Sequence, residues 1–394
     1  MSEPTQGTVK RGAKAQRNLG LDYLRTVSIG IVLANHCLIG FFFDTGRAEW
    51  KGMTAYLSAS AIVSIEWLFV LSGYLIGTMM IRSFEKPGSW LDRTRDFWLR
   101  RWFRTVPNYY LFLLVNAALV QAGIASGAFH WTYLVFSQNL YLPEPQPHFF
   151  GESWSLATDE WFYFLMPLLL ALALLLRRIR VQSAFMLTAA LLIALPAIAR
   201  GLHAVPPDFF AWDAQIRRIT VFHLDATGWG VLAAAINRWH KDWWMTNAGA
   251  KALAGAALTL LGLAMVWLLV GAGWAASGWH ALMNASSLTL MGVGTLLALP
   301  WLTSLAIEAR VLDLFVEKTS LYSYSIYLCH FPLIFIVKHV FAIGRASDDT
   351  TILVAVALWL LAVYAASAAV FHSFERPVSD LRERFTRRVS TMPF

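Results

Sequence analysis

The chain has 394 residues, of which 57% are hydrophobic and only 14% are charged, and its formal net charge is +8. Soluble globular proteins carry charge on about a quarter of their residues, so this composition excludes an ordinary soluble domain and predicts a polytopic membrane protein. In a membrane protein, an excess of Lys and Arg is first an indication of topology and only then of nucleic-acid binding. We therefore expect no nucleic-acid partner. Two cysteines are too few for a disulfide framework, and no spacing of His, Cys or Asp residues indicates a metal site.

Long apolar runs separated by charged residues, Pro and Gly predict an all-α transmembrane bundle of about ten spans. The predicted helices cover residues 22–43, 54–81, 97–120, 153–176, 181–200, 218–237, 248–271, 280–303, 319–341 and 351–373. Residues 21–376 therefore form the transmembrane domain, between a basic tail at 1–20 and a second basic tail at 377–394. The first tail has no small-residue cleavage site, which favours a cytoplasmic segment over a cleaved signal peptide.

Positive charge is distributed unevenly between the two sides of this predicted topology. If the N terminus lies inside, 25 of the 32 Lys and Arg residues fall in inner segments or at inner helix ends. This asymmetry agrees with the positive-inside rule. It predicts a multi-pass protein of the cytoplasmic (inner) membrane with both termini in the cytoplasm, and it leaves the oligomeric state open.

The first predicted helix, LDYLRTVSIGIVLANHCLIGFFF, carries ionisable residues inside an apolar span, which marks them as functional candidates. Arg25 and His36 are eleven residues apart, so they lie on one helix face and about 16 Å apart along the axis. An imidazole at mid-depth is a suitable general base near neutral pH. Interfacial anchoring of Arg25 and an interhelical hydrogen bond of His36 are the structural alternatives. Cys37 points about 100° away from His36, so a nucleophilic role for it is not favoured.

The second and third predicted helices carry one acid and a basic cluster. Glu66 lies within an apolar run and needs a partner, and packing plus an internal ion pair is its favoured role. Ser72 and the glycine after it permit close helix approach. Arg101 and Arg104 in RRWFR share a helix face, and guanidinium forks suit phosphate oxygens. Positive-inside anchoring is the alternative, but the position of this pair on the same predicted side as Arg25 favours a phosphorylated cofactor.

The segment from about residue 121 to 152 is the longest predicted outer connection. Its aromatic residues and prolines predict a part-buried or re-entrant stretch that lines a cavity. The fourth helix follows with ESWSLATDEWFYFLMP, where carboxylates stand beside aromatic rings. This combination suits a polyhydroxy or sugar-like acceptor, although aromatic residues are also common at membrane interfaces. The candidate substrate-binding residues are Glu152, Trp154, Asp159, Glu160 and Tyr163.

In this order, the motifs resemble the acyltransferase 3 family of multi-pass membrane acyltransferases. The resemblance extends from Leu21 to Arg384 and rests on LDYLR with a histidine eleven residues after its arginine, FVLSGYLIG, RRWFR, WSL…FYFLMP, LD…GVLAA, SYSIYLCHFP and FERPVSDLRER. It implies transfer of an acetyl or related acyl group from cytoplasmic acyl-CoA to a hydroxyl of a carbohydrate, glycolipid, envelope polymer or glycosylated small molecule. The family usually has Glu where this chain has Asp159, which leaves open whether Asp159 or Glu160 supplies that carboxylate.

The resemblance also implies essential roles for the Arg25–His36 and Arg101–Arg104 pairs. We expect the three arginines to hold the phosphates of acetyl-CoA or another acyl-CoA, while His36 removes the proton of the acceptor hydroxyl. Candidate oxyanion donors are Asn35, Ser72, Tyr74 and Tyr327, with Glu66, Asp225 and His330 as supporting ionisable residues. Some family members carry a hydrolase-like domain outside the membrane. None follows the last predicted helix here, so we expect the membrane domain or a separate partner to complete the transfer.

Two other classes of protein stay open. A transporter would use Glu66, Asp225, His36 and His330 as a path for protons or substrate, although no inverted repeat is evident. A non-catalytic scaffold for envelope assembly would tolerate the substitution His36→Ala.

Overall fold

A computed structural model describes residues 18–42, 48–177, 179–206, 208–272, 278–305 and 310–389. The described residues form α-helices joined by turns and by one longer segment at residues 122–152, with no strand among them. The helices are α1 (Leu19–Cys37), α2 (Ala48–Phe84), α3 (Trp90–Gln121), α4 (Ser153–Arg177), α5 (Val181–Leu202), α6 (Phe209–Trp212), α7 (Thr220–Trp239), α8 (Lys241–Met245), α9 (Ala248–Val266), α10 (His280–Ser304), α11 (Arg310–Val340), α12 (Asp349–Val370) and α13 (Arg376–Val389). π-Helical turns continue α1 at Leu38–Phe42, α9 at Trp267–Gly271 and α12 at Phe371–Glu375.

The predicted all-α membrane fold is confirmed, and each of the ten predicted helices corresponds to a helix of the structure. Eight helical segments in the described part are long and apolar enough to cross a membrane, and α6 with α7 forms a ninth if the bent pair is one span. α3 is not among them, because five arginines lie in its first half and leave only the part after Arg104 apolar. Ten spans and cytoplasmic termini stay predictions, and residues 1–17 and 390–394 of the two tails lie outside the described residues.

The predicted helix at 218–237 is preceded by a sharp break. Asp213–Arg217 forms a π-helical turn after α6, and α7 starts at Thr220 after a bend of 71°. Asn139 fills this break: its side-chain nitrogen donates to the Arg218 carbonyl at 2.6 Å, and its own carbonyl accepts from the Thr220 N–H at 2.9 Å. The bend thereby connects α7 to the segment between α3 and α4.

The segment between α3 and α4 is partly buried, as predicted. A short 3-10 helix at Trp131–Val135 opens it, and Tyr133, Asn139 and Glu144 have buried side chains. His148 and Glu152 near its end line a cavity. The prediction of a part-buried, cavity-lining stretch is confirmed.

Two glycines bring α2 and α7 into close contact. A Cβ atom on Gly73 would lie 2.0 Å from the carbonyl oxygen of Thr227, and one on Gly230 would lie 2.1 Å from that of Val70. Any larger residue would therefore collide with backbone at either position. The close helix approach predicted for the Ser72 motif is confirmed.

Glu66 and Asp225 each pair with a buried partner inside the bundle. The Glu66 carboxylate is hydrogen-bonded to His223 Nε2, and both side chains are buried. Asp225 receives two hydrogen bonds from Arg200, at 2.9 and 2.6 Å, which connect α5 to α7. Because a buried charge needs a partner, these pairs explain both acids structurally, and neither acid lines the cavities described below.

Candidate active site

Three cavities follow one another along a single face of α1. We name them the basic cavity, the arginine cavity and the histidine cavity, and their volumes are about 860, 410 and 320 Å³. The α1 residues that line them recur every three or four positions, the spacing of one helix face: Asn18, Leu21, Asp22 and Arg25 line the first, Arg25 and Ile29 the second, and Val32, Asn35, His36 and Ile39 the third. Arg25 lines both of the first two cavities, and Ile65 and Tyr327 line both of the last two. Adjacent cavities therefore have lining residues in common.

The basic cavity has an excess of positive charge. Its charged lining residues are Arg25, Arg82, Lys86, Arg93, Arg100 and Lys241, against Asp22 and Asp96. Tyr74 also lines this cavity, where its hydroxyl accepts a hydrogen bond from Asn237 at 2.7 Å and its ring stacks on Trp244. Since His36 lines a different cavity, the structure does not bring Tyr74 to it as an oxyanion donor.

Arg25 is held at the junction between the basic and arginine cavities. Its Nη1 donates to Ser320 Oγ at 3.0 Å and lies 3.8 Å from an Asp22 carboxylate oxygen. Ser320 in turn donates to the same Asp22 oxygen at 2.6 Å. This triad fixes the guanidinium between α1 and α11 while 23% of the side chain stays exposed.

The arginine cavity joins the α3 arginines to one face of α4. Arg101 donates through Nη2 to the Tyr163 hydroxyl at 2.8 Å, and its guanidinium lies 4.3 Å from the centre of the Tyr163 ring. Ser72 Oγ is 3.1 Å from the same hydroxyl. The Nε of Arg101 is buried without a hydrogen-bond partner among the described residues, and Arg104 lines the same cavity. Arg101 therefore keeps an N–H donor for an anion.

Three residues predicted to bind the acceptor lie instead beside these arginines. Asp159, Glu160 and Tyr163 line the arginine cavity, whereas Glu152 and Trp154 line the histidine cavity. Glu160 accepts a hydrogen bond from Thr105 at 2.5 Å. The division follows from helix geometry, because the five residues span about 16 Å of α4 and its approach. A single acceptor mouth made of all five is therefore not what the structure shows.

His36 and His330 form a pair in the wall of the histidine cavity. His36 Nδ1 lies 2.8 Å from His330 Nε2, and the two rings stack with their centres 5.0 Å apart. His330 is fully buried on α11. No described residue forms a hydrogen bond with His36 Nε2, so this is the ring nitrogen left for a substrate. When His36 Nδ1 carries the hydrogen and donates it to His330, Nε2 is the basic nitrogen.

Other predicted residues surround His36 in this cavity. Asn35 accepts a hydrogen bond from Ser58 at 3.2 Å, and the Tyr327 hydroxyl is 2.6 Å from Ser155 Oγ. Both carboxylate oxygens of Glu152 are buried without a hydrogen-bond partner among the described residues. Burial, reinforced by the nearby Glu144 carboxylate, raises the pKa of Glu152 well above its ordinary value. In its protonated form, the Glu152 carboxyl can donate a hydrogen bond. Cys37 does not line this cavity.

Trp154 is already in contact with two neighbouring side chains. Its side chain is buried, with the Arg217 guanidinium 4.7 Å from its ring and the ring of His223 stacked on it at 5.9 Å. Its role in binding a sugar ring stays a prediction. Within the protein, Trp154 supports Arg217 through a cation–π contact.

The sequence analysis missed Asp213, Arg217 and Arg218, which also line the histidine cavity. Asp213 binds Nε of both arginines, with 2.5 Å to Arg218. A sequence feature could have identified them: adjacent arginines at a predicted outer helix end run against the positive-inside rule, and such an exception needs a reason.

Comparison with known proteins adds a family and several relatives. Residues 18–372 match the protein family described as the acyltransferase domain. A Staphylococcus aureus (strain COL) protein named "Putative O-acetyltransferase" is 22% identical over 223 residues, which cover 51% of this chain and 33% of that protein. The "Putative peptidoglycan O-acetyltransferase YrhL" of Bacillus subtilis is 25% identical, covering 42% of this chain and 25% of that protein. The "Peptidoglycan O-acetyltransferase OatA" of Listeria monocytogenes is 26% identical, covering 37% and 23%. The chain thus spans a third or less of the length of these relatives, and no solved structure matches it significantly.

Proposed function

Because the chain belongs to the acyltransferase family whose domain it matches, we propose that it is a membrane O-acyltransferase. It transfers an acetyl or related acyl group from acyl-CoA to a hydroxyl of a carbohydrate-containing acceptor. The observation that carries this proposal is the row of cavities along α1, cationic at the Arg25 end and lined at the other end by an imidazole whose Nε2 has no partner among the described residues.

The donor fits the cationic end of the row. Coenzyme A is a polyanion, and the basic cavity has six cationic lining residues against two acids. Arg101 and Arg104 line the next cavity, and Arg101 keeps an N–H donor there that has no partner among the described residues; guanidinium forks suit phosphate oxygens. Arg25 and His36 are about 16 Å apart along α1, which is comparable with the length of a pantetheine arm. One helix can therefore address both the phosphates and the thioester.

His36 acts as the general base on the acceptor. Its Nε2 takes the proton of the hydroxyl as the hydroxyl oxygen attacks the thioester carbonyl carbon. The new C–O bond forms, the C–S bond breaks, and the proton on His36 passes to the departing thiolate, so that the products are the ester and free CoA. Asn35, Tyr327 and the protonated form of Glu152 are the candidate hydrogen-bond donors to the acceptor or the oxyanion in this cavity.

The acceptor belongs on the side of the histidine cavity. Two of the relatives are named peptidoglycan O-acetyltransferases, which supports a hydroxyl of a carbohydrate as the acceptor class. In the predicted topology, the histidine cavity opens at the outer helix ends and the basic cavity at the inner ends. Donor and acceptor would thus approach from opposite faces of the cytoplasmic membrane.

The first test is turnover of radiolabelled acetyl-CoA by the purified protein in liposomes. His36→Ala should lower transfer to a hydroxyl acceptor, and slow hydrolysis by water, by about 10²- to 10⁴-fold, the usual contribution of a general base. Acetyl-CoA binding should survive in His36→Ala and weaken in Arg101→Gln. Cys37→Ser is the matched control one residue away, and it should keep wild-type turnover.

Two results would contradict the proposal. If the wild type neither binds nor consumes any acyl-CoA, the acyl-CoA-dependent activity is wrong. If His36→Ala turns over acetyl-CoA as fast as Cys37→Ser, the chemistry lies elsewhere.

A further inference from the structure

The histidine cavity contains a pair of arginines held by a single carboxylate. Asp213 Oδ1 accepts from Arg217 Nε, and Asp213 Oδ2 accepts from Arg218 Nε at 2.5 Å. The carboxylate therefore occupies the inner edge of both guanidinium groups. Their outer N–H groups are left over: Arg217 Nη1 is buried without a hydrogen-bond partner, and Arg218 Nη1 has only a 3.5 Å contact with His148.

This arrangement gives two guanidinium groups a single carboxylate partner in the cavity wall. Asp213 binds both arginines, whereas the carboxylate oxygens of Glu152, which also lines the cavity, receive no hydrogen bond from either arginine. His148, which contacts Arg218, lies 3.1 Å from Glu144. A buried guanidinium without a counter-charge is costly, so a purely structural role would require only one arginine for this aspartate. The second cation fits a site that a ligand anion completes.

Arg217 is also fixed in place before any ligand binds. Its side chain is only 9% exposed, with its guanidinium over the Trp154 ring at 4.7 Å and its Nε on Asp213. A planar fork held on two sides loses little conformational entropy when it binds a carboxylate. The geometry is that of a prepared anion site rather than of a mobile surface arginine.

We infer that the acceptor is an acidic sugar, whose carboxylate binds Arg217 and Arg218 and thereby orients a neighbouring hydroxyl towards His36 Nε2. This inference rests on the proposed acyltransferase activity and specifies its substrate class. A carboxylate offers two acceptor oxygens to the unused N–H groups of the two arginines, and the donor phosphates have their own cationic residues beyond the wall formed by Ile65 and Tyr327. Arg217 and Arg218 are thus specificity-determining residues on the acceptor side.

The test gives the purified protein in liposomes radiolabelled acetyl-CoA and compares its activity on matched pairs of acceptors. The acceptors are methyl β-D-glucuronide with methyl β-D-glucoside, and the corresponding galacturonide with galactoside. For at least one pair, the wild type should prefer the acid by about tenfold or more in kcat/KM, the value of a charge-assisted hydrogen bond. An acid that binds without being acylated should instead slow the hydrolysis of acetyl-CoA, because it excludes water from His36.

Substitutions then assign the preference to the arginine pair. Arg217→Gln should reduce the acid-to-neutral ratio towards one, while Arg217→Lys, which keeps the charge but not the fork, should retain part of it. Arg345→Gln removes an exposed positive charge from another predicted outer loop and should leave the ratio unchanged. Acetyl-CoA binding, which involves the other cavities, reports whether each variant is folded.

The outcomes separate this inference from the proposed function. If the wild type acylates the neutral sugars as well as the acids, or if no acid is acylated or slows hydrolysis, the acidic-sugar inference is wrong while the acyltransferase stands. An unchanged ratio in folded Arg217→Gln would also overturn it. If acetyl-CoA is neither bound nor consumed, the proposed function itself fails.

Discussion

His36 depends on His330 for the orientation that general-base chemistry requires. The 2.8 Å contact between His36 Nδ1 and His330 Nε2 fixes the ring and selects the nitrogen that faces the substrate. We predict that His330→Ala lowers kcat about 100-fold, near the lower end of general-base contributions, with little change in the KM for acetyl-CoA. His330→Gln, whose side-chain oxygen can accept the same hydrogen bond, should recover part of the loss. Steady-state kinetics measure kcat and KM of both variants. If the two variants lose kcat equally and also lose acetyl-CoA binding, the role of His330 is packing alone.

Glu152 should make stability depend on pH in a direction opposite to that of most carboxylates. Its raised folded-state pKa means that the native protein keeps the proton while the unfolded chain releases it above about pH 4.3. Rising pH therefore favours unfolding, up to the folded-state pKa. We predict that Glu152→Gln, which cannot ionise, changes the melting temperature little near about pH 4 and raises it increasingly towards about pH 8.

Thermal unfolding in detergent across this pH range checks the Glu152 prediction. Asp348 provides the comparison, because N–H groups at the start of α12, chiefly that of Thr351, lower its pKa at an exposed position. Asp348→Asn should show the opposite sign, with any loss of stability appearing as pH rises. A pH-independent effect of Glu152→Gln would show that Glu152 is ionised in the native protein.

Sequence spacing predicted which residues are important better than it predicted which of them meet. Arg25, His36, Arg101 and Arg104 all line the row of cavities, because a helix fixes which residues share its face. Trp154 could not be placed in the same way. Its ring contacts Arg217 and His223, from the π-helical turn and α7, and no local pattern encodes a contact over about sixty residues of sequence.

At the scale of helices, the ten apolar runs predicted the ten main helices because hydrophobic length is a direct requirement of the bilayer. The break before α7 was not predictable from that rule. It contains no proline or glycine, and it is held instead by Asn139 from a distant segment and by the ion pairs of Asp213. Tertiary hydrogen bonds here replace the helical ones, and they bring the arginine pair into the cavity.

The contact between α2 and α7 depends on the absence of a side chain at Gly73. A Cβ atom there would meet the Thr227 carbonyl oxygen at 2.0 Å, so the helices would have to separate. We predict that Gly73→Ala destabilises the protein by about 2 kcal/mol or more, as overpacking does, and shifts Ser72 away from Tyr163. Gly30→Ala on α1, where nothing lies within 4 Å of the added carbon, is the matched control. It should be neutral or stabilising by up to about 1 kcal/mol. Melting temperatures in detergent measure both, and equal shifts would contradict the packing argument.

At the scale of the whole molecule, the cavity row follows the charge asymmetry, because the six cations of the basic cavity are among the 25 Lys and Arg residues predicted to lie inside. The basic cavity is built from the start of α1, the end of α2, the start of α3 and the α7–α8 junction, all of which the positive-inside rule assigns to the cytoplasm. The histidine cavity is built from the opposite ends of α1 and α2 and from the segment before α4. In the predicted topology, the basic cavity therefore faces the cytoplasm and the histidine cavity faces the outer side, and the arginine cavity between them shares lining residues with both.

This two-sided arrangement predicts opposite accessibility of the two end cavities. In a background with Cys37→Ser and Cys329→Ser, we expect Ser126→Cys, which lines the histidine cavity, to react with a membrane-impermeant maleimide in intact cells. Ser83→Cys, which lines the basic cavity, should react only after the membrane is opened. Acetyl-CoA should then slow the labelling of Ser83→Cys and leave Ser126→Cys unaffected, because the nucleotide occupies only the cationic end. Labelling of both positions from the same side would contradict the topology and, with it, the passage of the acyl group from an inner donor to an outer acceptor.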